Sequence, residues 1–209
     1  MTDETLRAVT AAYEIIVVDD GSTDGTPTLL AGLGAQYPAL RSIRHPENRG
    51  YGAAVLTALR AARMELVFFC DADNQFDVRE LPRLLALIPD ADLVTGYRGV
   101  RRDPAHRRLN AFLWNALVRL LLGVKVRDLN CAFKLFRRPA LERAGLHEVV
   151  STGAAINAEL LTRLGKIHAR IREVEVSHHG RPYGRQTGAS PMVILRAFKE
   201  IFELYRRLG

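Results

Sequence analysis

The sequence predicts an α/β domain built on an open, mostly parallel sheet with helices on both faces. Three observations carry this reading. Short apolar runs alternate with longer segments of helical periodicity, the order expected of a sheet crossed by helices. Two runs end in acidic, small-residue turns, Asp19-Asp20-Gly21-Ser22 and Asp71-Ala72-Asp73-Asn74. Ligands of open α/β sheets gather at such strand ends. The run Leu66-Val67-Phe68-Phe69-Cys70 is too short for a helix and reads as a strand buried on both faces.

Taken in order, Thr2 to Ala12 reads as a short helix capped by Thr2 or Asp3, and Tyr13 to Val18 as a strand rich in β-branched residues. After the acidic turn, Asp24 or Thr26 caps a helix running to Gln36. Leu40 to Arg44 is a strand. Asn48-Arg49-Gly50-Tyr51-Gly52 then leads into a helix to Arg63, with two glycines that would let backbone N–H groups approach a phosphate. Beyond the Leu66–Cys70 strand follow a helix over Val78 to Leu87 and a strand over Asp92 to Thr95. Arg98, Arg101, Arg102, Arg107 and Arg108 crowd before a Leu-rich helix at Leu109 to Leu122. They form either a solvated face or a phosphate clamp. A polar loop from Asp128 enters an alternating strand through Arg138, and Pro139 opens a short helix. Ile156 to Leu164 is helical, Ile167 to Val176 is a strand, and a basic, Gly-rich loop runs from His178 to Gly188. Pro191 to Leu208 places Ile194, Phe198, Ile201, Tyr205 and Leu208 on one face, with Arg196, Lys199, Arg206 and Arg207 elsewhere. Such a basic amphipathic helix either docks on its own domain or lies on an anionic membrane.

Composition narrows the partners. With 209 residues, 48% of them hydrophobic, the chain can bury the core of one domain. Its two cysteines, Cys70 and Cys131, are too few for a disulfide framework and point to a reduced, cytosolic compartment. No apolar stretch approaches the roughly 20 residues of a membrane span, because Leu117 to Val124 is broken by Arg119 and Gly123. Asp3 and Glu4 stand where a signal peptide would be basic and apolar. A net charge of +7 favours anionic partners. No nucleic-acid-binding module accompanies it, so nucleic acid is not expected.

Asp71 and Asp73, close together at a strand end, repel each other and lose solvation. A divalent cation relieves both costs. Oxygen ligands without Cys or His suit Mg²⁺ or Mn²⁺, and Mg²⁺ often sits on one or two carboxylates plus substrate phosphates.

The segments Val18-Asp19-Asp20-Gly21-Ser22-Thr23-Asp24-Gly25-Thr26, Asn48-Arg49-Gly50, Asp71-Ala72-Asp73-Asn74-Gln75-Phe76-Asp77 and Gly96-Tyr97-Arg98 occur in that order. Asp128, Phe133-Lys134-Leu135-Phe136-Arg137-Arg138, Glu159-Leu160-Leu161 and Arg181-Pro182-Tyr183-Gly184 follow. From Glu14 to Leu208 the chain thereby resembles glycosyltransferase family 2, with the GT-A fold, and within it the polyprenol-phosphate sugar synthases. The resemblance implies a metal-dependent, inverting transfer from a UDP- or GDP-linked sugar to a polyprenyl phosphate at the inner, cytosolic face of the cell membrane. It implies that Asp20, Gly50 and Asp71 bind the nucleotide-sugar, with Asp20 on the base, and that Asp71, Asp73 and Gln75 hold Mg²⁺ or Mn²⁺. Asp128 and Arg98 become the catalytic candidates, and Arg107 and Arg181 the residues for the acceptor phosphate. Asp128 either orients groups near the sugar or supports the fold. The family often has Ser four residues beyond the Arg107 position. Here Ala111 removes that hydroxyl contact.

One departure stands out. The family opens with a strand ending in a Pro-x-Tyr-Asn-Glu type of sequence, and only Met1 to Ala12 precedes the Asp19-Asp20 strand here. A domain at 1–188 lacking the usual first strand, followed by the amphipathic helix at 189–209, is therefore expected. A sheet missing that strand would leave backbone groups unpaired and half the nucleotide pocket open. The alternative function is an inactive glycosyltransferase-like domain serving as a nucleotide-binding scaffold.

Overall fold

The computed structural model describes residues 1–99, 105–180 and 191–208, with side chains from 112 and from 198 onward in the helices that begin at 105 and 191. The elements are α1 (Thr2–Val9), β1 (Ile15–Asp19), α2 (Thr26–Gln36), β2 (Leu40–Arg44), α3 (Tyr51–Ala61) and β3 (Leu66–Cys70). There follow α4 (Leu81–Leu85), β4 (Leu93–Arg98), α5 (Ala105–Leu122), β5 (Phe133–Arg137), α6 (Arg138–Arg143), α7 (Ile156–Lys166), β6 (Ile171–Val176) and α8 (Pro191–Leu208). The helix expected over Val78 to Leu87 is instead a 3-10 turn at Val78–Glu80 and a single short helix. Pro82 has no N–H to give and sits at the start of that helix, where none is needed. The last strand starts at Ile171 rather than Ile167 because α7 ends in a left-handed turn, with φ +53° at His168.

The sheet is in two pieces. β1 and β2 pair in parallel, Ile15 opposite Leu40 through Asp19 opposite Arg44. The second piece has the order β3-β5-β4-β6. β5 runs against both neighbours, and β4 and β6 are parallel, so β3, β4 and β6 share one direction. No ladder joins the two pieces among the described residues. One expectation fails here. β3 is not buried on both faces: only Val67 is buried, and Leu66 and Phe68 to Cys70 are half-buried. β3 is the edge of its sheet, with β5 on one side alone.

Helices cover both faces. Phe133 and Leu135 of β5 join Phe76, Leu81, Leu84 and Val94 on one side, against which Leu6 and Val9 of α1 pack. Phe136 points the other way, into a larger cluster with Val55, Leu56 and Leu59 of α3, Val118 of α5, Ile156 and Leu160 of α7, and Ile201 and Leu204 of α8. This alternation is the period of two expected of a strand. α8 is thus docked through Ile201 and Leu204, while Phe198, Phe202 and Tyr205 stay exposed. The apolar surface of α8 is wider than one stripe. α5 behaves alike: Val118 is 0% exposed, whereas Phe112, Leu113 and Leu120 face outward, Leu120 at 82%. The Trp114 ring meets the Phe198 ring edge-on at 6.0 Å and joins the two helices.

Candidate active site

Strand register gathers the acidic residues. Cys70 lies opposite Phe133, Thr95 opposite Lys134, and Arg98 opposite Val176. The C-terminal ends of β3, β4 and β6 and the loop entering β5 therefore meet at one end of the sheet. Asp71, Asp73 and Gln75 leave β3 there, and Arg98 and Asp128 lie beside them.

Asp73 Oδ1 accepts the N–H of Gln75 at 3.0 Å, a local turn that Asp readily makes. Gln75 is buried; its Nε2 donates to the carbonyl of His179 at 3.0 Å, and its carbonyl accepts the His179 N–H at 2.8 Å. With the amide nitrogen spent on the chain, Oε1 is the Gln75 atom suited to a cation. Burial pushes the Cys70 thiol up to about 12, and Asp71 and Asp73 add to the rise, so it stays protonated. The oxygen donors at this strand end are two carboxylates and an amide oxygen. This donor set fits a hard divalent cation that takes its other ligands from substrate phosphates. Among the described residues no three His, Cys, Asp or Glu side chains converge as a closed metal cage.

The two catalytic candidates are brought together as one unit. Arg98 Nε donates to Asp128 Oδ2 at 2.6 Å and Nη2 to Oδ1 at 2.9 Å, a fork-on-carboxylate geometry. Asp128 is buried. Its loop is tied down by Lys134, which the sequence reading had not singled out. The fully buried Lys134 ammonium donates to the carbonyl of Leu129 at 3.2 Å and to that of Cys131. Burial lowers the pKa of this ammonium, with Cys131 and Asp128 opposing the shift.

The nucleotide side is built from β1, β2 and α3. Asp20 Oδ2 accepts the Gly50 N–H at 2.8 Å, and Oδ1 accepts the Arg49 N–H at 2.9 Å. Desolvation disfavours the Asp20 charge, but the His45 ring and these two N–H groups outweigh it and hold the carboxyl below its usual range. The glycine-cradle expectation changes accordingly. Gly50 has φ +98° and would set a Cβ 2.8 Å from the Thr152 carbonyl oxygen, and a Cβ on Gly52 would lie 2.6 Å from the Thr152 carbonyl carbon. The N–H of Gly50 is spent on Asp20, so close packing within the chain accounts for both glycines. Tyr51 is 42% exposed, but its hydroxyl turns in toward Asp71 and Asn157, where desolvation, then the Asp71 charge, raises its pKa. It connects the β1 side of the site to the β3 side. Asp19, one residue before Asp20, is buried with Oδ2 accepting no hydrogen bond, although Arg44 Nε stands 3.4 Å away. Arg107 and Arg181 lie outside the residues whose side chains are described.

Known proteins agree with this architecture. Glucosyl-3-phosphoglycerate synthase of Mycobacterium tuberculosis, solved with Mn²⁺, UDP-glucose and phosphoglyceric acid, matches with a TM-score of 0.69 at 20% identity. The match covers 97% of this chain and 73% of that one. The fold is GT-A. A dodecaprenyl-phosphate galacturonate synthase of Rhizobium johnstonii is 30% identical over 201 residues, 92% of this chain and 56% of that protein. An undecaprenyl-phosphate mannosyltransferase of Micrococcus luteus is 26% identical over 187 residues, 86% of this chain and 77% of its own. The model of the family described as Glycosyl transferase family 2 matches residues 1–145, and the chain belongs to that family.

Proposed function

We propose that the chain transfers a sugar, with inversion, from a UDP- or GDP-linked donor to a polyprenyl phosphate at the cytosolic face of a membrane. The observation that carries the reading is the convergence of Asp71, Asp73 and Gln75 with the Arg98–Asp128 pair at one sheet end. The names of the relatives support the class of acceptor.

Asp71, Asp73 and Gln75 Oε1 would hold Mg²⁺ or Mn²⁺. That ion supplies neutralisation of the charge that builds on the departing nucleoside diphosphate. Asp20 and the turn it organises would receive the base. The Arg98–Asp128 pair, fixed through Lys134, is a rigid wall against which the sugar can be oriented, and orientation is a large part of a displacement barrier. An acceptor phosphate is already an anion, so it needs cations to position it more than a base to deprotonate it. Arg107 and Arg181 are assigned to that task. Arg107→Ala and Arg181→Ala are expected to impair acceptor kinetics by roughly 10- to 100-fold, as for loss of one charge-assisted bond, with donor affinity nearly unchanged. Equal losses in both measurements would count against an acceptor clamp.

The exposed apolar residues of α5 and α8 support placement at a lipid surface, with Lys199, Arg206 and Arg207 nearby to attract anionic headgroups. No helix among the described residues is long and apolar enough to cross a membrane. Leu120→Glu combined with Phe202→Glu is expected to cut co-sedimentation with anionic liposomes at least about fivefold, without loss of fold, since both residues are exposed. Unchanged binding would remove this face from the membrane contact.

The split sheet favours a second reading, nucleotide binding without turnover. Mass spectrometry of polyprenyl phosphate incubated with a panel of nucleotide-sugars and Mn²⁺ separates the two. A mass gain of one sugar supports transfer; nucleotide binding with no such product supports the scaffold.

A further inference from the structure

We propose that His45 is a positioning residue for the donor-binding turn, acting through Asp20. The inference rests on the reading that Asp20 faces the nucleotide. His45 follows the last residue of β2, and its N–H donates to the Asp19 carbonyl at 2.9 Å, so it extends the β1–β2 ladder by one residue. The residue is 4% exposed, and both ring nitrogens are spent on the protein. Nδ1 lies 2.6 Å from Asp20 Oδ1, and Nε2 lies 2.9 Å from Thr57 Oγ1 on α3. Three elements, the end of β1, the end of β2 and the middle of α3, are therefore bound through one imidazole.

This arrangement excludes proton transfer to substrate as the task of His45, since neither nitrogen is presented to a ligand. It does decide where Asp20 can point. Asp20 collects three donors within the chain. Two are the N–H groups of Arg49 and Gly50, belonging to the turn that Asp20 itself shapes, and the third is His45. Gly50 is the N-cap of α3, so these bonds reach the start of that helix. Among the described residues, His45 adds the side-chain link from the carboxylate to the end of β2 and, through Thr57, to the middle of α3. Without the imidazole, carboxylate, turn and the start of α3 would still bond to one another, but the side-chain link to the end of β2 and the middle of α3 would be gone. The Gly50 backbone at φ +98° is held against Thr152 by the same unit. A buried donor to a carboxylate is among the stronger hydrogen bonds a protein makes, and its loss leaves an underbonded anion in a desolvated place.

The test is calorimetric titration of UDP and of GDP, each with Mn²⁺, into the full chain and its variants, with thermal melts alongside. Asp20→Asn is expected to weaken the nucleotide that binds by at least about tenfold. His45→Phe, which keeps the ring volume and loses both nitrogens, is expected to weaken it by a similar factor, the size of one charge-assisted bond. His45→Asn offers an amide N–H near the Nδ1 position and is expected to recover affinity to within about threefold of wild type, a recovery that core filling alone would not produce. In an Asp20→Asn background, His45→Phe is expected to add little, because both changes break one link. Wild-type affinity in His45→Phe overturns the proposal, as does an effect undiminished in the Asp20→Asn background. If His45→Phe does not fold, Thr57→Val, which removes only the second bond, takes its place. A twofold or larger loss of affinity there supports the link, and no loss overturns it. If Asp20→Asn binds nucleotide as well as wild type, the donor-site reading falls first and the proposal falls with it.

Discussion

Asp73→Asn is expected to abolish the gain in nucleotide affinity that Mn²⁺ or Mg²⁺ confers, while the protein stays folded. The side chain keeps its local structural role, because an Asn Oδ1 can accept the Gln75 N–H as Asp73 Oδ1 does at 3.0 Å. What it loses is charge. Asp71 and Asp73 are two like charges at one strand end, and neutralising one relieves repulsion in the metal-free protein. The same change removes an anionic oxygen from the cation. Changes one shell further out already cost 10- to 100-fold in metal affinity, so loss of a ligand should cost about 100-fold or more. Titration of nucleoside diphosphate with and without Mn²⁺, beside a thermal melt, reads both halves. A variant that retains the full metal-dependent gain would show that the cation lies elsewhere.

The largest loss of stability is expected from Glu159→Ala. Glu159 is 0% exposed and accepts five donors: the N–H groups of Val150 and Ser151, the Ser151 hydroxyl at 2.6 Å, Arg163 Nε at 3.1 Å and Arg207 Nη2 at 3.0 Å. Removing one partner of a buried ion pair takes away compensation from the other charge and typically costs about 3–5 kcal/mol. For a domain of this size that is a fall in melting temperature of roughly 6–20 °C. Arg163, itself buried, bears most of it, although Glu148 Oε2 at 2.9 Å still pairs with it and draws the loss toward the lower end of that range; Arg207 is partly exposed and can turn to water. Glu159→Gln should recover part of the loss, because its amide oxygen still accepts from the loop. A melt within about 2 °C of wild type for Glu159→Ala would mean the carboxylate is not the anchor of this cluster.

Sequence reading found the elements wherever local chemistry dominates. β2 and β3 have the expected bounds because Pro46 closes off the first, and the apolar, partly aromatic run of the second stops at the acidic turn from Asp71. Where the reading erred, distant contacts decided. Nothing in Leu66–Cys70 itself says whether one strand or two will pair with it, so its edge position was not legible. The acids of the site were legible because carboxylates crowded at strand ends are costly without a ligand. Their supports were not. His45 looks like any loop histidine until β2 and α3 bring Asp20 and Thr57 to its two nitrogens. Lys134 reads as the polar half of an alternating strand, yet it lies inside because the 128–131 turn offers it carbonyls. Glu159 stands out in the sequence as part of the Glu159-Leu160-Leu161 segment on a helix, but its five donors come from segments up to 48 positions away. The outward face of α5 was missed for the opposite reason. A Leu-rich helix suggests burial, and only the fold shows that Leu113 and Leu120 are left over.

The break between the β1–β2 pair and the four-stranded sheet, as the described residues form them, changes how the site is held together. In a continuous sheet, ladder hydrogen bonds would make the two halves one cooperative unit. Here α3 does that work: it packs on β1, sends Val55, Leu56 and Leu59 toward Val67, and presents Gly50 to Asp20 and Tyr51 to Asp71. Side-chain packing and a few polar contacts resist separation less sharply than a ladder does, so β1, α2 and β2 can open as a local unit at a free energy below that of global unfolding. A nucleotide that touched both halves would then act as a clasp. Part of its binding free energy would go into closing the cleft, and the protein would gain rigidity from its substrate that its own backbone does not supply.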